Sequence, residues 1–317
     1  MEIWRTSLFN TQRKIDLALI NLFLFCLYSS ISSAMPISGI SDKNSDAANM
    51  IYHGIYDNQA ISLKNGQWSG LPFKKGVSSR PSIGLVKDFA FSGDINADGI
   101  PEQVVFLWEN SGGSGTQIYM AIIGEKNGKM SNLSTVHIGD RIQLRMGRIY
   151  NGGIELDVIQ ASGSDAQCCP GEKVLRTWVL QNNLGSHELV EQKPISLGRL
   201  TIEDIRGLNW QLERFSWRNK VSDNNPITLK YNDGKLTGTS ACNRYIASVS
   251  FNEDSNKIKV ESTSGTRKIC SAEKMELETK YLQALSNANR VSFINGKLAL
   301  SWDDNNIERT MIFSLSQ

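Results

Sequence analysis

The sequence predicts a mainly β protein of two domains, an N-terminal antiparallel β domain and a C-terminal α+β domain. Before residue 190, short β-rich runs alternate with turn signals, which is typical of a β-sandwich or an open barrel. No segment of useful length in that part has helical periodicity. One amphipathic helix follows among the β-rich runs of the C-terminal part. We expect it to pack on a curved antiparallel sheet.

The chain begins with a stretch that has the composition of a secretory leader. A basic start precedes an apolar run over residues 17–28, and Ser32 and Ala34 stand at the small positions that a signal peptidase requires. The run is shorter than the roughly 20 apolar residues that span a bilayer; a retained membrane anchor is the alternative. We expect a signal peptide at 1–34, cleavage after Ala34, no transmembrane segment in the mature chain, and a periplasmic or secreted protein.

The 317 residues are enough for two domains behind this leader, at about 100–200 residues per domain. We place the boundary within residues 191–199, where Pro194 and Gly198 lie between β-rich blocks. The predicted domains are a mostly-β exported domain at 35–198 and a C-terminal domain at 199–317. The net charge is only +2 and no Lys or Arg stripe occurs, so we predict that nucleic acid is not a partner.

The predicted elements of the N-terminal domain are mostly strands. Residues 50–56 are predicted as a short helical or irregular piece, and Asn65-Gly66 predicts a hairpin within residues 59–70. Further β-rich runs are expected at 102–110, 116–125, 141–150, 154–162 and 173–181.

The C-terminal domain is predicted to contain strands, one helix and a closing hairpin. Its β-rich runs are at 227–251, 257–265, 297–304 and 309–316. Residues 271–289 predict a helix with Ser271 as its N-cap. Leu277, Tyr281 and Leu285 recur at i, i+4 and i+8 on one face of this helix.

Four blocks of the C-terminal part occur in a characteristic order. They are LNWQLERF at 208–215, GKLTGTSACNRY at 234–245, TSGTRKIC at 263–270 and KLALSW at 297–302. With these blocks, residues 207–317 resemble a META domain, the family that includes the bacterial heat-shock-induced HslJ proteins. One departure is Ala241 and the two residues before it, where many members carry a glycine, and it concerns the local turn.

The META resemblance implies an envelope protein linked to stress or antibiotic tolerance, with no established reaction. The upstream half, which contains FSGDINADGIPEQVV at 91–105 and CCP at 168–170, is similar to an uncharacterised exported bacterial domain that often precedes META domains. The resemblance therefore indicates where the protein acts more than what it does.

Four cysteines remain behind the leader: Cys168, Cys169, Cys242 and Cys270. An even number in an exported chain favours disulfides, and three pairings are possible. A Cys242–Cys270 bond would tie the helix to the sheet and contribute roughly 3–4 kcal/mol in the chain-entropy model; two buried thiols are the alternative. Cys168 and Cys169 would then form a strained vicinal disulfide, either a redox switch or a static turn. Bonds between Cys168 and Cys169 and the two C-terminal cysteines are the third possibility.

Residues 94–102, DINADGIPE, carry oxygen-bearing side chains at alternate positions ahead of a glycine. Their spacing resembles the calcium loops of FG-GAP repeats, which join two β-strands. The predicted calcium ligands are Asp94, Asn96, Asp98, Glu102 and the carbonyl of Ile100. An EF-hand is excluded, because valine stands where its twelfth-position glutamate belongs. An ordinary Asx-Gly turn without an ion is the alternative.

The sequence contains no recognisable catalytic motif. His53, His137 and His187 each stand alone, and no HExxH motif, Walker loop or paired-Cys zinc spacing occurs. We therefore predict no enzymatic activity and no cofactor other than calcium. The predicted function is that of an exported, non-enzymatic envelope protein, a binding or structural module of stress response or antibiotic tolerance.

Its predicted partner is an unidentified envelope protein or a small ligand. Two alternatives are open at this point. One is a secreted inhibitor of a protease or lysozyme, which suits small disulfide-bonded β domains. The other is a thiol redox protein that uses Cys168 and Cys169.

Overall fold

The structure is a computed structural model that describes most of the chain behind the leader. The described residues are 44–72, 79–163, 165–166, 169–183, 186–216, 219–222, 224 and 226–316. They form β-sheets with one long helix, which confirms the predicted fold class. The predicted signal peptide lies outside them. No described helix has the length and apolar character needed to cross a membrane.

The N-terminal part opens with a short helix and a hairpin. Helix α1 covers Asn44–Ala47, and strands β1 (Ile51–Tyr56) and β2 (Gln59–Ser62) pair antiparallel. The prediction of a helical or irregular piece at 50–56 is therefore wrong. The register of β1 shifts between Tyr52 and Tyr56, and Gly54 has a φ of 80° there. This bulge breaks the period-2 pattern by which a strand is recognised in a sequence.

A six-stranded antiparallel sheet follows. Its strands are β3 (Gln67–Ser69), β4 (Ser82–Leu85), β5 (Phe91–Gly93), β6 (Glu102–Asn110), β7 (Gln117–Lys126) and β8 (Lys129–Asp140). The order is β3-β4-β6-β7-β8, and β5 pairs with β6. Strand β6 is buried on both faces: Val105 and Leu107 pack with Tyr52 under the β1–β2 hairpin, and Val104 and Phe106 pack on the opposite side.

That opposite side is covered by a five-stranded sheet. Its strands are β9 (Gln143–Tyr150), β10 (Gly153–Gln160), β11 (Glu172–Asn183), β12 (Ser186–Glu191) and β13 (Ile195–Arg199). The order is β12-β11-β10-β9, and β13 also pairs with β11. Leu156, Val158 and Trp178 from this sheet pack against Phe106 of β6, so the two sheets form a sandwich.

The C-terminal part is a second antiparallel sheet. A 3₁₀ helix, η1 (Ile202–Ile205), precedes strands β14 (Asn209–Phe215), β15 (Asn219–Lys220), β16 (Thr228–Asn232), β17 (Lys235–Thr239), β18 (Arg244–Phe251), β19 (Ile258–Gly265), β20 (Arg290–Ile294), β21 (Lys297–Asp304) and β22 (Ile307–Leu315). The order is β19-β18-β17-β16-β14-β22-β21-β20, and β15 pairs with β14.

The two ends of this sheet meet. The backbone N–H of Ile258 donates to the carbonyl of Asn289 at 3.0 Å, and that of Val291 donates to the carbonyl of Asn256 at 2.8 Å. Lys257 and Arg290 form a bridge between β19 and β20. The curved sheet expected from the sequence therefore closes on itself, and we refer to β14–β22 as the C-terminal barrel.

Helix α2 (Ala272–Asn287) connects β19 to β20. Tyr281 and Leu285 are fully buried and Leu277 packs against the same core, so this part of the predicted apolar face is confirmed. Ser271 occupies the N-cap position, but its side chain makes no capping hydrogen bond. The helix also buries Glu278, which hydrophobic periodicity did not predict.

Charged side chains link the N-terminal strands to the C-terminal part. Arg145 of β9 lies 3.5 Å from Asp157 of β10 and 3.4 Å from Asp204 of η1, and Lys173 of β11 lies 2.6 Å from Asp204. The guanidinium of Arg145 also stacks on the ring of Phe293, 5.0 Å from its centroid. The described residues form one compact unit. The predicted domain boundary between residues 198 and 199 stays a prediction.

Gly238 of β17 allows the close approach of β16. An added Cβ would overlap the carbonyl of Thr228, so alanine must push two barrel strands apart. We expect Gly238→Ala to lower the free energy of unfolding by roughly 1–3 kcal/mol, as measured by urea denaturation with tryptophan fluorescence. Gly113→Ala is the control, because a Cβ there has nothing within 4 Å. Equal losses in both variants would contradict this account of the strand contact.

Candidate functional site

The most strongly constrained polar site of the barrel surrounds a disulfide. Cys242 follows β17 in a short turn, and Cys270 comes directly before the first residues of α2. Their Sγ atoms are 2.03 Å apart and their Cα atoms 6.0 Å apart. The structure thus contains the disulfide that the sequence favoured. It also excludes, for this structure, bonds from these two cysteines to Cys168 or Cys169.

A buried carboxylate stabilises the turn that carries Cys242. Oε2 of Glu278 accepts hydrogen bonds from the backbone N–H of Asn243 at 2.8 Å and from Oγ of Ser240 at 2.6 Å. Oε1 accepts from Nδ2 of Asn243 at 3.0 Å. Burial by itself raises the pKa of Glu278, but these hydrogen bonds to Ser240 and Asn243 outweigh it and the net pKa is lowered. The helix and the turn are therefore joined through an ionised group.

Ala241 stands in the segment where many proteins of the resembling family carry a glycine, and its backbone has a conformation that favours glycine. Its φ is 75°, in the left-handed region that glycine adopts without cost. Alanine pays a steric penalty there, because its Cβ approaches the following carbonyl. The hydrogen bonds of Ser240 and Asn243 to Glu278 hold the turn in this conformation.

Asn243 connects the same turn to residues 266–270, which we call the 266–270 loop. Its Oδ1 accepts from the backbone N–H of Lys268 and from Oγ1 of Thr266, each at 2.7 Å. Its Nδ2 donates to the carbonyl of Lys268 at 3.3 Å. Ile269 follows with 97% of its surface exposed. A rigid turn thus presents an apolar side chain to solvent.

The tyrosine of the same sequence block packs inside the barrel. Tyr245 and Tyr281 share a hydrogen bond of 2.7 Å between their hydroxyls, and Tyr245 also donates to the carbonyl of Thr228 at 3.0 Å. Burial raises the pKa of both tyrosines. They therefore stay protonated and serve the core. Cys242 and Asn243 of this block therefore position the turn, and Tyr245 packs in the core.

Sequence reasoning missed Glu278, although a signal was present. Glu278 lies three residues before Tyr281 and seven before Leu285, on the apolar face of α2. A carboxylate on a face that packs against a core requires buried hydrogen-bond donors. The donors themselves, Ser240 and Asn243, lie far away in the sequence and could not be assigned from it.

The predicted calcium loop is closed by its own hydrogen bonds. Nδ2 of Asn96 donates to Oδ2 of Asp98 and to Oε1 of Glu102, each at 2.9 Å. Asp94 accepts from the backbone of Gly99 at 2.9 Å. The structure therefore gathers the side chains of Asp94, Asn96, Asp98 and Glu102 in one loop. Among the described residues, no three His, Cys, Asp or Glu side chains are arranged to hold a metal ion.

Within this loop, Glu102 is buried and Ile100 is half exposed. Glu102 also accepts from the backbone N–H of Ile95 at 2.8 Å, and the N–H of Ile100 donates to Oδ1 of Asp98 at 2.7 Å. Three carboxylates in one loop, those of Asp94, Asp98 and Glu102, repel each other unless positive charge compensates them. In the structure, amide N–H groups supply the compensating partial charge. Calcium binding stays a prediction.

The remaining sequence candidates lie elsewhere. Cys168 is outside the described residues, and Cys169 is exposed, with its N–H donated to the carbonyl of Ala166 at 2.9 Å. His137 of β8 contacts Oε1 of Gln117 at 2.8 Å, and burial followed by the charge of Arg176 lowers its pKa. None of these contacts joins a nucleophile to a base.

Among several clefts of the described residues, one lies on the N-terminal sheet beside the turn at Asn295. Its volume is about 690 Å³, within the range of about 300–1,000 Å³ that is typical of ligand sites. Trp108 lines it, and its indole lies against Gly84, where an added Cβ would overlap the ring. Lys87 and Thr116 supply polar groups. A small ligand stays a prediction.

Comparison with known proteins identifies the C-terminal part. Residues 203–314 match the META domain family, which confirms the predicted C-terminal META domain. META domains are generally non-enzymatic. The narrower resemblances to HslJ and to FG-GAP loops stay predictions. No curated protein matches the chain. An NMR structure of a protein from Burkholderia xenovorans is 23% identical, covers 36% of this chain and 86% of its own, and has a TM-score of 0.30.

Stability should depend on pH through Glu278. Its pKa is lowered in the folded state, so its contribution is complete above the ordinary pKa near 4.5 and is lost as the pH falls through the folded value. Glu278→Gln places a donor against Nδ2 of Asn243, and we expect a loss of roughly 1–3 kcal/mol at pH 7. The gap to the wild type should narrow at pH 3, as measured by urea denaturation. Glu276→Gln is the control, because Glu276 is exposed on the same helix. It should leave the free energy of unfolding unchanged at both pH 7 and pH 3.

Proposed function

We propose that the protein is an exported, non-enzymatic binding module that acts in the bacterial envelope under stress. The disulfide Cys242–Cys270 carries this proposal, because disulfides persist in oxidising compartments and are rare in the cytosol. The predicted signal peptide would deliver the chain to such a compartment. The META match supports a non-catalytic, stress-related role.

The architecture around the disulfide suits recognition. The 266–270 loop is held by the disulfide to Cys242 and by hydrogen bonds to Asn243. Glu278 of α2 in turn binds the turn that contains these two residues. A surface that is already ordered before binding loses little conformational entropy on association. The protein would therefore bind its partner with a preformed surface rather than through induced folding.

Calcium binding in the loop at 94–102 is part of the proposal. Nδ2 of Asn96 lies 2.9 Å from both Asp98 and Glu102, at the position where a cation would meet the two carboxylates. Asp94 and the carbonyl of Ile100 would complete an all-oxygen set of the kind that Ca²⁺ prefers. Binding would link β5 to β6 more firmly, with the low affinity of extracellular calcium sites.

Inhibition of an envelope-attacking enzyme, a protease or lysozyme, is the second candidate. The exposed Ile269 on a braced loop favours it. The redox function of Cys168 and Cys169 stays a prediction, since Cys168 lies outside the described residues.

Export can be tested on the protein from its own cells. The intact mass of the periplasmic or secreted fraction should correspond to a chain that starts after Ala34. Alkylation should add the mass of blocking groups on Cys242 and Cys270 only after the protein has been reduced, because these two cysteines form a disulfide. A chain that still begins at Met1, or one whose four cysteines are alkylated without reduction, would disprove export with oxidation.

Calcium uptake can be tested by calorimetry on the purified protein. Wild type should release or absorb heat on Ca²⁺ addition, and Asp98→Ala should abolish it, because this change removes a central ligand. Asp254→Ala is a matched control: the N–H of Asp254 donates to Oδ1 of Asn252 at 2.8 Å, in the same Asx-turn geometry as Asp98 and Asn96 at 2.9 Å. Identical heats in all three proteins would leave the loop as a turn.

A further inference from the structure

The backbone of the 266–270 loop presents its free edge to solvent. The side-chain amide of Asn243 bonds both the N–H and the carbonyl of Lys268, as a neighbouring strand would. The N–H and the carbonyl of one residue point to the same side only where the backbone is extended. The N–H of Thr266 is also turned inward, donating to the carbonyl of Arg244 at 3.0 Å.

Backbone groups alternate in direction along an extended chain. Since Thr266 and Lys268 face the barrel, Arg267 and Ile269 direct their N–H and carbonyl groups outward. Neither residue has a backbone hydrogen bond to any residue that the structure describes. Beyond the end of β19 at Gly265, the loop thus has one hydrogen-bonded edge and, among the described residues, one edge without a backbone partner.

The peptide bond after Ile269 is flanked by two anchors. Lys268, on one side, is hydrogen-bonded to Asn243, and Cys270, on the other, is bonded covalently to Cys242. The two residues that hold the loop, Cys242 and Asn243, are consecutive in one turn. Glu278 holds this turn in the barrel surface. If this peptide bond were hydrolysed, with water giving a carboxylate on Ile269 and an amine on Cys270, the two ends would stay in place.

We propose that the 266–270 loop inserts as an extended strand into the substrate cleft of a serine endopeptidase and inhibits it, with Ile269 in the specificity pocket. The open backbone edge supplies main-chain hydrogen bonds, and the exposed side chain supplies specificity, as in other strand-addition complexes. The partner's pocket is apolar and accepts a branched aliphatic side chain. This inference rests on the proposed role as an exported binding module.

The loop suits a peptidase better than lysozyme. A saccharide cleft with catalytic carboxylates is matched by polar or cationic groups, whereas the side chain presented here is aliphatic and 97% exposed. Arg267 and Lys268 directly precede it and are exposed. Their charges would favour a partner with an acidic rim and would speed association at low salt.

The test is inhibition of neutrophil elastase by the oxidised protein, followed with a chromogenic peptide substrate. Wild type should inhibit elastase and not trypsin. Ile269→Lys should weaken inhibition of elastase by roughly 30-fold or more, the loss expected for a hot-spot residue, and should create inhibition of trypsin, whose specificity pocket holds a carboxylate. Both proteins should melt at the same temperature, because Ile269 makes no buried contact.

Ile307→Lys is the matched control, since Ile307 is also exposed, at 54%, at the start of β22. It should inhibit elastase like the wild type. The proposal is overturned if wild type leaves elastase fully active, if it inhibits lysozyme instead, or if elastase cuts after Ile269 and releases the cleaved chain as a substrate. Any of these outcomes would overturn the inhibition proposal alone. The proposed export would still stand if the disulfide and the cleavage after Ala34 were found intact.

Discussion

The buried carboxylate of Glu278 is the constraint on which the C-terminal barrel depends. It is the only group of α2 that reaches the Cys242–Asn243 turn with hydrogen-bond acceptors, among the described contacts. A carboxylate in an apolar surrounding is costly unless its oxygens are satisfied, and here both are. The same contacts fix the turn, the turn fixes the disulfide and Asn243, and Asn243 fixes the 266–270 loop. One ionised group therefore orders the 266–270 loop.

The N-terminal sandwich and the barrel meet through charges that are only partly balanced. Burial raises the pKa of Asp157, and Arg145 opposes this shift, while Asp204 adds to it. Oδ1 of Asp157 has no hydrogen-bond partner among the described residues. Ion pairs of this kind specify how two surfaces fit more than they stabilise them, because desolvation cancels much of the Coulomb attraction. The sandwich and the barrel have separate hydrophobic clusters, and Ile159 of β10 packs in the cluster of the barrel.

The loop at 94–102 and the 266–270 loop illustrate two ways of ordering a polar turn. In the first, carboxylates accept hydrogen bonds from amides of the same turn, so the ordering groups lie within the loop itself. In the second, the ordering groups come from elsewhere in the fold, from Asn243 and the disulfide. A loop of the second kind has its own backbone free for a partner, which is why it carries the interaction that we infer.

The sequence by itself determined the fold class, many of the strands, the one long helix and the META resemblance of the C-terminal part, whereas β8 and β20 were not predicted. These follow from local periodicity and from short blocks such as the one around Asn243, whose information is contiguous. Tertiary structure alone decided the closure of the barrel through Ile258 and Val291, the strand at Tyr52 and the partners of Glu278. The physical reason is the same in each case: a hydrogen bond between residues about 35 positions apart, or a bulge at one glycine, leaves no periodic trace in the chain.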